Sequence, residues 1–149
     1  MACLASILYD PATAVSKSTA ATLAMTPLDT INLRATFQVP ANGRVLVRLQ
    51  GVLHGAATIP QIFMGAMEGA VIRMRQAPMV GGGNLAATSL LSVESVGVVS
   101  GLTPTATLIW DAAYAVETLV AATGLKYGGL NNITANDAFG AFAFEIWNA

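Results

Sequence analysis

The chain has 149 residues, enough for one domain with a real core, and a formal net charge of −1. Hydrophobic residues make up 54% and charged ones only 10%, against about 25% charged in typical soluble domains. That balance gives no electrostatic reason to bind nucleic acid or an anionic membrane.

The apolar stretches are broken repeatedly by Gly, Pro, Asn, Arg or Thr. None gives the about 20-residue span that a bilayer helix needs. A transmembrane barrel would want alternating strands with aromatic girdles, and 7% aromatics in no repeating pattern argue against one. A chain this poor in charge is expected to hide surface against other subunits. The lone Cys3 excludes an internal disulfide and any cysteine-rich metal site. Met1-Ala2-Cys3-Leu4 has no basic n-region, so no secretory signal is expected.

In chain order, Leu4, Ile7, Leu8 and Tyr9 predict a short strand that Asp10-Pro11 stops. From Ala12 to Thr26 the residues are small and polar, fitting a short helix or an extended arm lying on a neighbour. Thr26-Pro27-Leu28-Asp29 predicts a turn. The strongest local signal follows. From Ile31 to Val39 apolar Ile31, Leu33, Ala35, Phe37 and Val39 alternate with Asn32, Arg34, Thr36 and Gln38. After Pro40-Ala41-Asn42-Gly43, Val45, Val47 and Leu49 alternate with Arg44, Leu46, Arg48 and Gln50. Period 2 on both sides of an Asn-Gly pair predicts a β-hairpin, which needs further sheets or subunits to cover its apolar face.

His54-Gly55-Ala56-Ala57 reads as a loop, followed by a strand from Ile59 to Met67 and, after Glu68-Gly69, another from Ala70 to Gln76. Gly81-Gly82-Gly83 reads as a flexible connection, since it lacks the lysine and helix start of a phosphate loop. Further strands are expected at Leu90–Val99, Thr105–Val116 and Ala138–Trp147, with a shorter one at Leu119–Ala122 and a polar loop from Tyr127 to Asp137. About eight strands near ten-residue spacing, with no long amphipathic helix, predict an all-β sandwich or barrel.

Candidate chemistry is sparse. His54 is the only histidine, so it has no second histidine for a metal, and no nucleophile elbow accompanies it. Cys3 lacks an evident rigid pocket. Asp111 and Glu117, with Glu94, are the nearest carboxylates, and a solvent-facing or arginine-paired role outweighs a glycosidase pair. Asn132-Ile133-Thr134 matches the glycosylation sequon and reads as a chance match. No enzyme, cofactor or metal is expected. Arg34, Arg44 and Arg48 lie on the polar side of the predicted hairpin, with Arg73 and Arg75 on a later strand. They fit either an ordinary solvated sheet face or pairing with carboxylates of an adjacent subunit.

The segment from Phe37 through Pro40-Ala41-Asn42-Gly43 to Arg48 resembles a phrase common in viral and phage jelly-roll modules. Ala138-Phe139-Gly140-Ala141-Phe142 resembles the final strand of the trimeric jelly rolls of the tumour-necrosis-factor and complement globular-head type. The resemblance implies a jelly-roll β-sandwich over residues 30–149, with residues 1–29 as an N-terminal arm, and a homotrimer with the last strand near its axis. It places Phe139, Phe142 and Phe144, with the three hairpin arginines, at the interface. Short stand-alone chains of this kind are similar to tailed-phage head decoration (cement) proteins. The implied function is a structural virion protein made in the host cytoplasm, bound to the major capsid protein on the capsid surface. The rival readings are a tail-fibre or receptor-binding head, then a lectin-like binding module, with a hydrolase last.

Overall fold

The computed structural model describes residues 1–17, 24–55, 62–76, 89–116, 124–129 and 139–149. Among these there is no helix, and eleven strands carry the fold. They are β1 (Cys3–Tyr9), β2 (Val15–Lys17), β3 (Thr26–Pro27), β4 (Arg34–Gln38), β5 (Val45–Gly55) and β6 (Ile62–Glu68). The remainder are β7 (Val71–Gln76), β8 (Ser89–Val99), β9 (Thr107–Val116), β10 (Gly124–Tyr127) and β11 (Phe142–Asn148).

All pairings are antiparallel and form two sheets. In the first, β5 is central: β8 runs along one side of it, and β11 and then β10 along the other. β1 continues this sheet beyond β11, and β2 continues it beyond β10. In the second, β9 is central, with β6 and then β7 on one side and β4 and β3 on the other. The long strands therefore run β1-β11-β5-β8 in one sheet and β4-β9-β6-β7 in the other.

One core joins the two sheets as a β-sandwich. Val47, Leu49, Phe144 and Ile146 of the first sheet and Phe37, Met64, Trp110 and Tyr114 of the second belong to it. The Phe37 and Trp110 rings meet edge to face at 4.9 Å, a preferred aromatic geometry. The Trp110 indole N–H donates to Glu68 at 3.1 Å, and Arg73 donates to the same oxygen at 2.8 Å. The polar handle of a fully buried ring is thereby satisfied at the core's edge.

The alternation in the central segment is observed from Leu33 onward, while Ile31, expected on the apolar face, lies exposed in the turn before β4, and the hairpin is not observed. β4 pairs with β9 and β5 with β8 and β11, so the two strands lie in different sheets. Leu33, Ala35, Phe37 and Val39 face the core from one sheet, and Val45, Val47 and Leu49 face it from the other. Each segment had an apolar face to bury, and facing each other across the core buries both, which lying side by side would not. The Asn-Gly turn forms as the residues predict, with Gly43 at φ +66° and its N–H bonded to Pro40 O at 2.9 Å. It turns between layers, and its back rests on Leu102, whose N–H donates to Gly43 O at 3.1 Å.

Residues 1–29, expected as an arm, are part of the sandwich wherever they are described. β1 pairs with β11 from Cys3↔Trp147 to Tyr9↔Phe142, β2 with β10, and β3 with β9. Leu28 is buried in the core. Asp29 then caps the turn into β4, accepting the backbone N–H groups of Ile31 and Asn32 at 2.8 and 2.9 Å. Burial pushes its carboxyl upward, but these bonds, the Asn32 side chain and the Lys17 charge together hold it below its ordinary value.

β8, β9 and β11 lie where the sequence places strands, and β10 is one it does not predict. The expected strand Leu119–Ala122, the triglycine loop, Glu117 and the sequon fall outside the described residues, as does Ile59 at the start of the strand observed as β6. β6 and β7 form the tight hairpin, with Gly69-Ala70 between Glu68 and Val71. A methyl group on Gly65 would lie 1.9 Å from the Met74 carbonyl oxygen. Gly65→Ala must part β6 from β7, and a loss of about 1–3 kcal/mol is expected, as for other overpacked sites. Urea unfolding checks this, and an unchanged midpoint would show that the two strands stand further apart.

Candidate interaction surface

The sheet β1-β11-β5-β8 turns Val47, Leu49, Phe144 and Ile146 inward, so the alternate residues face away from the core. Cross-strand register sets these outward residues in rows. Val98, Leu46 and Trp147 form the first, Val96, Arg48, Glu145 and Ser6 the second, and Glu94, Gln50, Ala143 and Leu8 the third. No strand of the second sheet covers them. Val96 is 44% exposed, Val98 52% and Leu8 68%. Leu46, Arg48, Glu145 and Trp147, with Met1, line an open hollow of about 380 Å³.

Arg48 sits at the middle of this face. Its Nε donates to Glu94 and its Nη1 to Glu145 at 3.4 Å, while the Trp147 indole donates to the same Glu145 oxygen at 3.2 Å. The hydrogen bond that Arg48 donates to Glu94, more than any other contact, holds its guanidinium above its ordinary value. Pairs this exposed contribute about 0–1 kcal/mol to folding. Their effect here is to leave the centre of an apolar face with one surplus negative charge, from two carboxylates against one guanidinium.

The residues expected at an interface fall in three different places. Phe142 and Phe144 are fully buried in the core of the single chain. The strand's parity is opposite to the one that an axis-lining role requires: β11 turns its phenylalanines inward and shows Ala143, Glu145 and Trp147 outward. Phe139 lies before β11, almost buried, with the Lys126 ammonium 5.3 Å from its ring centre. The arginines do not share one face either. Arg34 belongs to the second sheet, where register sets it opposite Asp111 and it donates to both carboxylate oxygens at 2.7 and 2.9 Å. That bond to Asp111 raises the Arg34 pKa. Arg34 and Arg48 thus pair within the chain, and on opposite sides of the sandwich. Arg44 stands at the start of β5 by the Asn-Gly turn, where its N–H bonds to the Asn42 side chain at 3.1 Å.

Sequence reasoning passed over Trp147, Val96 and Val98. A signal was present: Leu46 among arginines, and two valines in step with Glu94, are apolar residues on the polar parity of their strands. Apolar residues repeated there mark a face that is not left to water alone.

The residues singled out for chemistry lie apart from one another where they are described. His54 lies within β5, not in a loop, paired through its backbone with Leu90 and Gly124. Cys3 is exposed on β1. Asp111 and Glu94 are in different sheets. Among the described residues no three His, Cys, Asp or Glu side chains gather as metal ligands would. Burial raises the Tyr127 pKa, with smaller contributions from Asp29, Tyr9 and Tyr114, and its buried hydroxyl has no partner among the described residues.

Among the described residues, fold and surface define an all-β sandwich with a partly exposed, largely apolar sheet face that has an ion-paired centre. No family model matches the chain, and no curated protein matches it either.

Proposed function

We propose that this chain is a structural virion protein, a decoration (cement) protein that binds the assembled head shell of a tailed phage as a homotrimer. The sandwich is then a jelly roll. Its support is the order of the eight long strands, β1-β11-β5-β8 facing β4-β9-β6-β7, which interlocked Greek keys produce when an antiparallel chain is rolled up. The observation that carries the assembly is the uncovered row of Val98, Leu46 and Trp147, with Val96 and Leu8 beside it. Monomeric soluble proteins rarely leave such a patch to water, and a second copy or the shell would cover it.

A protein that binds the assembled shell and not its dissociated subunits stabilises the shell by mass action. Particles lacking this chain are expected to assemble, yet to release their genome at lower temperature or lower salt, and added protein should restore them. Thermal release monitored by a DNA-binding dye checks this. A receptor-binding head predicts particles of normal stability that fail to adsorb to cells. That outcome would replace the capsid reading with the tail one.

A further inference from the structure

Further along the outer side of the same sheet, where β2 pairs with β10 and Lys126 stands beside Val52 of β5, the surface has a second hollow, of about 360 Å³. Thr13, Ser16, Lys126 and Phe139 contribute to its walls. Lys126 stands directly opposite Ser16 in the ladder, so the two side chains lie on the same face within reach of one ligand. Among the described residues no carboxylate lines the hollow and no ion pair joins Lys126 to one. Its ammonium is held over the Phe139 ring, 5.3 Å from the centroid, which fixes its position without neutralising its charge. Among the described residues neither the Thr13 nor the Ser16 hydroxyl has a hydrogen-bond partner.

We propose that this hollow binds a small anionic ligand, a phosphate or carboxylate group carried on a compact polar molecule. Lys126 supplies the charge and up to three donors, and Ser16 and Thr13 supply hydroxyls that donate to the anion or accept from the rest of the molecule. The volume lies within the range of small-molecule sites, above about 300 Å³. The overall charge of −1 would not draw anions to the protein, so the attraction is local to this one cation. The inference does not depend on what the sheet face binds.

The experiment is calorimetric titration of the full chain with inorganic phosphate, glucose 6-phosphate, glucuronate and neutral glucose, at low salt. Glucose 6-phosphate or glucuronate is expected to bind and glucose not, and whichever anion binds identifies the group. Lys126→Gln should weaken binding by about tenfold or more, Lys126→Arg should retain it, and added salt should weaken it as screening grows. The thermal midpoint of Lys126→Gln reports that it remains folded. Equal binding of inorganic phosphate and glucose 6-phosphate would remove the carrier molecule from the proposal. The proposal is overturned if no anion binds at millimolar concentration, if glucose binds as well as the anions, or if Lys126→Gln binds like the parent.

Discussion

Phe142→Asp is expected to leave the chain unfolded, or folded only in a minor fraction. Phe142 is completely buried between the sheets, with the Tyr127 ring 5.6 Å away in a T-shaped contact. Its own ring is so close to the backbone of β5 that a methyl group on Gly51 would lie 2.8 Å from it. Truncating such a phenylalanine costs about 3–5 kcal/mol from lost burial and the cavity left behind. Aspartate adds an unpaired buried carboxylate, a penalty of several kcal/mol more on general grounds. Whole domains are stable by about 5–15 kcal/mol, so the sum is comparable with the entire margin. Phe142→Leu, which keeps most of the apolar volume, should fold with a reduced urea midpoint. Circular dichroism and urea titration separate the cases. A folded, cooperative Phe142→Asp protein would mean that this ring does not face the core.

Replacing Val96 and Val98 together by aspartate is expected to do the opposite, abolishing assembly while leaving the fold intact. Both side chains are about half exposed on the outer face of β8, so little burial within the chain is lost. In an assembly that covers this face, two carboxylates would have to leave water beside Glu94, which is already part of it. Desolvating like charges side by side costs far more than it returns. A stable interface buries about 800 Å² per partner, and the row from Val98 to Trp147 is the apolar part of this face. Sedimentation of the parent is expected to give a species of three chains, and of the variant one of 15.3 kDa, with matching circular dichroism spectra. Ile109→Asp is the control, because Ile109 is half exposed on the outer side of the other sheet. A monomeric parent would refute the assembly itself. A trimeric parent whose Val96/Val98 variant is also trimeric would move the interface to another face.

These two substitutions also mark where sequence reading held and where it failed. Which residues of Leu33 to Leu49 are buried was legible, because strand periodicity alone fixes which side chains share a face. The class of fold followed from the same pattern repeated along the chain. Even the turn at Gly43 was legible, since a positive φ is a local demand that Asn-Gly meets cheaply. Pairing was not legible. Alternation is the same whether β4 lies beside β5 or faces it across a core, and the choice between them was made by β9 and β8, about 70 and 45 residues further along the chain.

The site was legible in its parts but not in its arrangement. Arg34 and Asp111 are 77 residues apart, and only the β4–β9 register sets them side by side. Arg48 reaches Glu94 and Glu145 because β8 and β11 flank β5 at those positions. Phe142 and Trp147 sit on one strand, five residues apart, with opposite fates. An odd separation in a strand guarantees opposite faces, and so much the sequence determined by itself. Which of those faces is the inside depended on where the second sheet lay, and only the tertiary structure decided that, because burial belongs to the packed pair of sheets and not to any one strand.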